Sequence, residues 1–98
     1  MQERMCETCQ REPAVGVVAS GYVPMSSAIC SPCLEVGAET YDTCVFIVAM
    51  AEGDDQTIAA LQETVVAATL MRTGKTMAQF DEDVQLCRQR MSAYGEEE

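Results

Sequence analysis

The chain has 98 residues, of which six are basic and sixteen acidic, giving a formal net charge of −10. That length suggests a single domain, and that charge disfavours binding to phosphate backbones or anionic lipid. Histidine is absent, which excludes an imidazole general base and leaves cysteine as the only soft metal ligand.

Residues 1–13 read as a polar arm carrying a first cysteine pair, Cys6-Glu7-Thr8-Cys9. The opening residues MQERMCETCQ lack the apolar stretch of a secretory signal. The longest apolar run, Cys44 to Ala51, is far shorter than the roughly 20 residues that span a bilayer. The expected location is therefore the cytoplasm. Few lysines and small size fit an accessory protein of a GC-rich bacterium or of its phage. Thiols stay reduced in that compartment, where paired cysteines signal metal more often than disulfides.

Residues 14–19, AVGVVA, read as a strand, and residues 25–30, MSSAIC, as a second. Ser20 to Pro24 turns the chain between them, with Gly21 free to take positive φ. The second cysteine pair, Cys30-Ser31-Pro32-Cys33, follows and opens a helix. Ser31 is the expected N-cap and Pro32 the first helical residue. Leu34, Ala38, Tyr41, Val45 and Val48 recur at spacings of three and four, predicting one continuous helix to about Ala51.

Gly53-Asp54-Asp55 breaks that helix and caps the next. Ile58, Leu61, Val65 and Ala68 make its apolar stripe, widened by Val66 and Leu70, and Thr73-Gly74 ends it. Thr76 and Gln79 match a capping box. Met77, Phe80, Val84, Cys87, Met91 and Tyr94 then form an a/d seam on a third helix. The expected organisation is one compact α+β domain: residues 1–52 a zinc module, residues 53–94 a helical hairpin packed on it, and residues 95–98 a disordered tail.

Two pairs with two-residue gaps, separated by twenty residues, have the spacing of a four-cysteine zinc site. Four thiolates surround zinc tetrahedrally at about 2.3 Å, and a site closed by four protein ligands has no position left for water or substrate. The expected metal ligands are Cys6, Cys9, Cys30 and Cys33, holding one structural zinc per chain. Four thiolates around one dication take the formal charge from −10 to −12. Thioredoxin-type redox chemistry is the rival for such pairs, but it uses one pair in a βαβ context. Cys44 and Cys87 lie on or beside apolar helical faces and read as small hydrophobes. Gly74-Lys75-Thr76 copies the end of a phosphate-binding loop, yet position 69 is threonine and a helical stripe precedes it. Those residues read as an inter-helix turn. The carboxylates are numerous, but nothing pairs them with a nucleophile, so no catalytic constellation is expected.

The order of knuckle, hairpin and cysteine-bearing helix is the treble-clef arrangement. Residues 6–50 resemble the N-terminal zinc-binding domain of the bacterial Clp unfoldase ATPase (its X-type subunit), through Cys6-x-x-Cys9, Cys30-x-x-Cys33 and the helix beginning Leu34-Glu35-Val36. The resemblance implies a structural zinc and a homodimer that binds adaptors and substrates. This chain differs in lacking the ATPase module and in ending in helices.

Three functions follow as expectations. The first is a non-enzymatic protein–protein interaction or adaptor module, itself a homodimer, because the helix to Ala51 is apolar nearly all round. A helical hairpin folding back over that helix would replace the second subunit. The second is an acidic inhibitor or nucleic-acid mimic acting on a host protein. The third is a zinc-dependent transcription regulator, disfavoured because the six basic residues are not clustered; no direct nucleic-acid or membrane contact is expected.

Overall fold

The computed structural model describes residues 4–96, with side-chain surroundings described through Ser92. The architecture is α+β: an antiparallel hairpin followed by helices. Strand β1 (Gly16–Ala19) pairs with β2 (Ser26–Ile29) in the register Gly16 to Ile29 and Ala19 to Ser26. Ser20 builds the turn, its hydroxyl accepting the N–H groups of Tyr22 and Val23 at 3.1 and 3.3 Å. The described glycines with positive φ are Gly37, Gly53 and Gly74, so the expected special role of Gly21 is not used. A hydroxyl that satisfies two turn amides makes it unnecessary.

The predicted continuous helix from Ser31 to Ala51 is two helices, α1 (Ser31–Val36) and α2 (Tyr41–Met50). Gly37 adopts φ 74° at the end of α1 and breaks the rod, a conformation glycine takes without steric cost. Thr40 restarts it, its hydroxyl accepting the Thr43 N–H at 3.2 Å. The N-cap of α1 is Cys30 rather than Ser31, and it makes no side-chain cap bond. Leu34, assigned to the buried stripe, is half exposed.

Helix α3 (Asp55–Leu61) runs into a π-helical stretch, Gln62–Val66, and then into α4 (Ala67–Thr73). The Asp54 carboxylate caps α3 through the Thr57 N–H at 3.1 Å. The wider turn has a local cause: the Thr64 hydroxyl donates to the Ala60 carbonyl at 2.7 Å and competes with the backbone for that acceptor. The extra residue per turn lets Val65 and Val66 both reach the core. It also moves Thr69, not Ala68, to the fully buried position.

Helix α5 (Met77–Glu96) starts where the capping box predicted, with Thr76 accepting the Gln79 N–H at 3.1 Å. Two of the four residues expected in a disordered tail are therefore helical; residues 97 and 98, and the side chain of Tyr94, lie outside the described set. The helical hairpin forms, but α5 packs most extensively on α2. It covers the α2 face that carries Cys44, Val45, Val48 and Ala49. Phe80 and Val84 complete this core with Val65 and Val66, and the Phe80 ring meets Tyr41 edge-on at 5.9 Å between centroids. Arg88 reaches over to the Val48 carbonyl in the last turn of α2 at 3.3 Å, where the helix dipole favours a cation. Among the described residues, no helix is long and apolar enough to cross a membrane.

A second, smaller core surrounds the cysteine pairs and consists of Cys6, Cys9, Ile29, Cys30, Cys33 and Ala38, with Ala68 against it. Thr69 joins the two halves. Its buried hydroxyl accepts the Glu39 N–H at 3.0 Å and the Cys44 thiol at 3.2 Å, and donates to the Glu39 carbonyl at 3.1 Å. Thr69→Val keeps the shape and removes all three bonds. Each backbone group left orphaned costs about 1–3 kcal/mol, so a loss of roughly 2 kcal/mol or more is expected in urea denaturation. Thr69→Ser, which keeps the hydroxyl, should lose much less.

Candidate metal centre

The first ligand pair sits on a small knuckle. An isolated bridge between Met5 and Pro13 closes it, supported by bonds from Cys6 N–H to the Glu12 carbonyl at 2.9 Å and from Ala14 N–H to the Arg4 carbonyl at 2.8 Å. Gln10 takes φ 58° immediately after Cys9, turning the chain back sharply. The second pair comes from the end of β2 and the first turn of α1. Glu7 ties the knuckle to the hairpin: its N–H donates to the Ala28 carbonyl at 2.9 Å, and its carboxylate accepts the Ala28 N–H.

All four predicted residues converge. The sulfur atoms of Cys6, Cys9, Cys30 and Cys33 lie within 4.8 Å of one another, and all four residues are buried. The Cys9 and Cys30 sulfurs are 3.7 Å apart. Four sulfurs held tetrahedrally at 2.3 Å from one ion stand about 3.8 Å apart, so this edge already has the length zinc needs. It is far beyond the roughly 2 Å of a disulfide, and all six cysteines are free. The donor set is four soft thiols without histidine or carboxylate, which suits zinc in a closed structural site.

The surroundings favour bound thiolates. The Thr8 N–H points at the Cys6 sulfur at 3.4 Å. Burial works against ionisation at Cys9, but the N–H groups of Arg11 and Glu12 outweigh it and bring the thiol down to about 6. Cys6 shifts downward in the same way, burial being overcome by the N–H groups of Cys9, Cys30 and Thr8. At Cys33, burial dominates and pushes the thiol up to about 12, although Arg72 opposes it. The knuckle thiols are thus the more readily ionised, and Cys33 would give up its proton on binding a dication.

Three residues beside the cluster, Arg72, Glu12 and Arg11, were not revealed by spacing. Arg72, in the last turn of α4, donates from Nε to the Cys33 sulfur at 3.2 Å and from Nη2 to the Glu12 carboxylate at 2.7 Å. Its Nη2 also lies 4.0 Å from the Cys30 sulfur. The guanidinium of Arg11 in turn donates to the Arg72 carbonyl. A cation fits here because four thiolates and one dication leave a charge of −2 in a buried place. The only hint in the sequence is that Arg72 is the one basic residue between Arg11 and Lys75. Arg72→Gln is expected to weaken zinc binding by about 10–100-fold, read by competition with a chromophoric chelator. Arg72→Lys should recover only part of this, since a single ammonium cannot bridge Cys33 and Glu12 as the fork does.

Cys44 and Cys87 stand apart from the centre. Cys44 is fully buried in the helical core, where burial pushes its thiol up to about 11 against the opposing Thr69 bond. Cys87 packs against that core half-buried. Gly74-Lys75-Thr76 is the turn between α4 and α5: Gly74 takes φ 78°, and the Lys75 ammonium sits 4.7 Å above the Tyr41 ring.

No family model, curated protein or solved structure matches this chain significantly. The likeness to the Clp zinc domain therefore rests on the cysteine spacing, the element order and the helix beginning Leu34-Glu35-Val36. What the structure establishes is a four-cysteine cluster suited to one metal ion in a small α+β fold.

Proposed function

We propose that this protein is a structural-zinc module that works by binding another protein and catalyses nothing itself. The observation that carries the reading is the closure of the cysteine cluster: four buried thiols take all four positions of a tetrahedral ion, so no site remains for a reacting water or substrate. A metal used this way fixes shape. Here it would fix the knuckle against the end of β2 and the start of α1. Large apolar side chains stand exposed in both halves of the molecule: Val15, Val17 and Met25 on and beside the hairpin, and Phe46 and Met50 on α2. Exposed patches of that kind mark interaction sites more often than single apolar residues do. The acidic charge contributes solubility and selects against nucleic acid.

The test is affinity capture from cells that encode the protein, with the zinc-loaded chain and the Cys30→Ser variant side by side. The reading predicts one protein partner retained in stoichiometric amount by the zinc-loaded chain and lost with the variant. Retention of nucleic acid instead of protein would overturn it.

A further inference from the structure

We infer that the open cleft between the hairpin and helices α2 and α5 is a docking groove for a basic amphipathic helix of a partner protein. The inference rests on the interaction reading above and names its surface and partner chemistry. The cleft is open to solvent and has a volume of about 1010 Å³, as large as the largest of the roughly 300–1,000 Å³ small-molecule sites. Its apolar anchors come from three separate elements: Val23 and Met25 from the hairpin end, Phe46 from α2 and Leu86 from α5. Met25 is 68% exposed, and Phe46 and Leu86 are each 43% exposed. These three large apolar side chains from separate elements face one open cleft, and methionine is the residue best able to repack around an incoming side chain.

Charge selects the occupant. The carboxylates of Glu7, Asp42 and Asp83 line the same cleft, against one base, Arg90. Glu7 is loosely paired with Arg4 at 3.9 Å, and Asp83 accepts the Tyr41 hydroxyl; neither contact removes the excess of negative charge. Lys75 is engaged on the Tyr41 ring at the neighbouring surface. A second copy of this chain would bring its own charge of −10 to an acidic groove, so a foreign, basic segment is the better match. The mode is led by side chains. The N–H and C=O groups of Ala28 on β2 are both taken by Glu7, which blocks addition of a strand there. An amphipathic helix can present apolar anchors at i, i+3 or i+4 and i+7 to the groove and lysine or arginine to its rim.

The experiment titrates the zinc-loaded full chain into a labelled 14-residue leucine–lysine helix and, separately, into the same helix with glutamate for lysine. Anisotropy reads affinity, and heteronuclear NMR reads location. The lysine helix is expected to bind at least about tenfold more tightly than the glutamate helix, with binding weakening as salt rises. Shifts should centre on Met25, Phe46 and Leu86. Leu86→Glu is expected to weaken binding about tenfold or more, while Met71→Glu, on α4 outside the cleft, leaves it unchanged. Equal affinity for both helices, shifts elsewhere, or insensitivity to Leu86→Glu would overturn the inference. So would cleft signals that broaden with the chain's own concentration, which would show a second copy as the occupant. Capture of a protein partner combined with an indifferent cleft would reject the groove and leave the interaction reading standing.

Discussion

Cys33→Ser is expected to abolish stoichiometric zinc and to unfold the hairpin half of the molecule while much of the helical half persists. The reason lies in the composition of the two cores. The core around the metal centre has six buried residues, and four of them are the cysteines. Strand β1 is exposed at every position, so the hairpin buries only Ala28 and Ile29, at the end of β2. A two-stranded sheet without a hydrophobic face is marginal in water. Structural zinc contributes on the order of 10 kcal/mol or more of apparent binding free energy, coupled to folding, and nothing else in this half approaches that. The helical core from Cys44 to Val84 contains no ligand. Far-UV circular dichroism of the variant should therefore keep a large part of its helical signal, while NMR signals of residues 4–38 collapse into the unfolded range. A strong chelator should reach the same state. So should acid, because the ligands must be thiolates and affinity falls as pH drops.

Phe80→Ala should produce the opposite separation: a large loss of stability with the metal retained. Phe80 is fully buried at the meeting point of α2, the π-helical stretch and α5. Its truncation removes the largest fully buried side chain of the described residues and its edge contact with Tyr41. Such substitutions cost about 3–5 kcal/mol, which is much of the stability of a small domain. At about 4–8 °C per kcal/mol, the melting temperature should fall by roughly 12 °C or more. The four ligands lie in the other core, so zinc content at low temperature should be unchanged. Loss of zinc together with stability would show that the two cores fold as one unit, with Arg72 and Thr69 coupling them more tightly than their few bonds suggest.

The metal centre was legible in the sequence because its determinants are local. Each cysteine pair is delivered by one turn, and a two-residue gap has few geometric solutions. The hairpin and the caps at Asp54, Gly74 and Thr76 were legible for the same reason. The division of the first helix was not, although its signals were present: Gly37 and Thr40 are an ordinary stop and start, overridden in the reading by an apolar repeat that runs through both. The π-helical stretch was hidden because it depends on one hydroxyl, that of Thr64, competing for one carbonyl. Arg72 and Thr69 were out of reach because their partners, Cys33, Glu12 and Glu39, lie 30 to 60 residues away in the chain. Only the tertiary fold brings them together. The seam on α5 was legible as an apolar face, but periodicity does not show which helix will cover it, and the fold sets it on α2.

The metal content of the protein purified without added metal tests most directly whether the four cysteines hold one structural zinc. Elemental analysis is expected to give one zinc per chain, with the thiols of Cys6, Cys9, Cys30 and Cys33 protected from alkylation until a chelator is added. Protein that is folded and contains no bound metal, or whose four thiols alkylate freely without chelator, would contradict it.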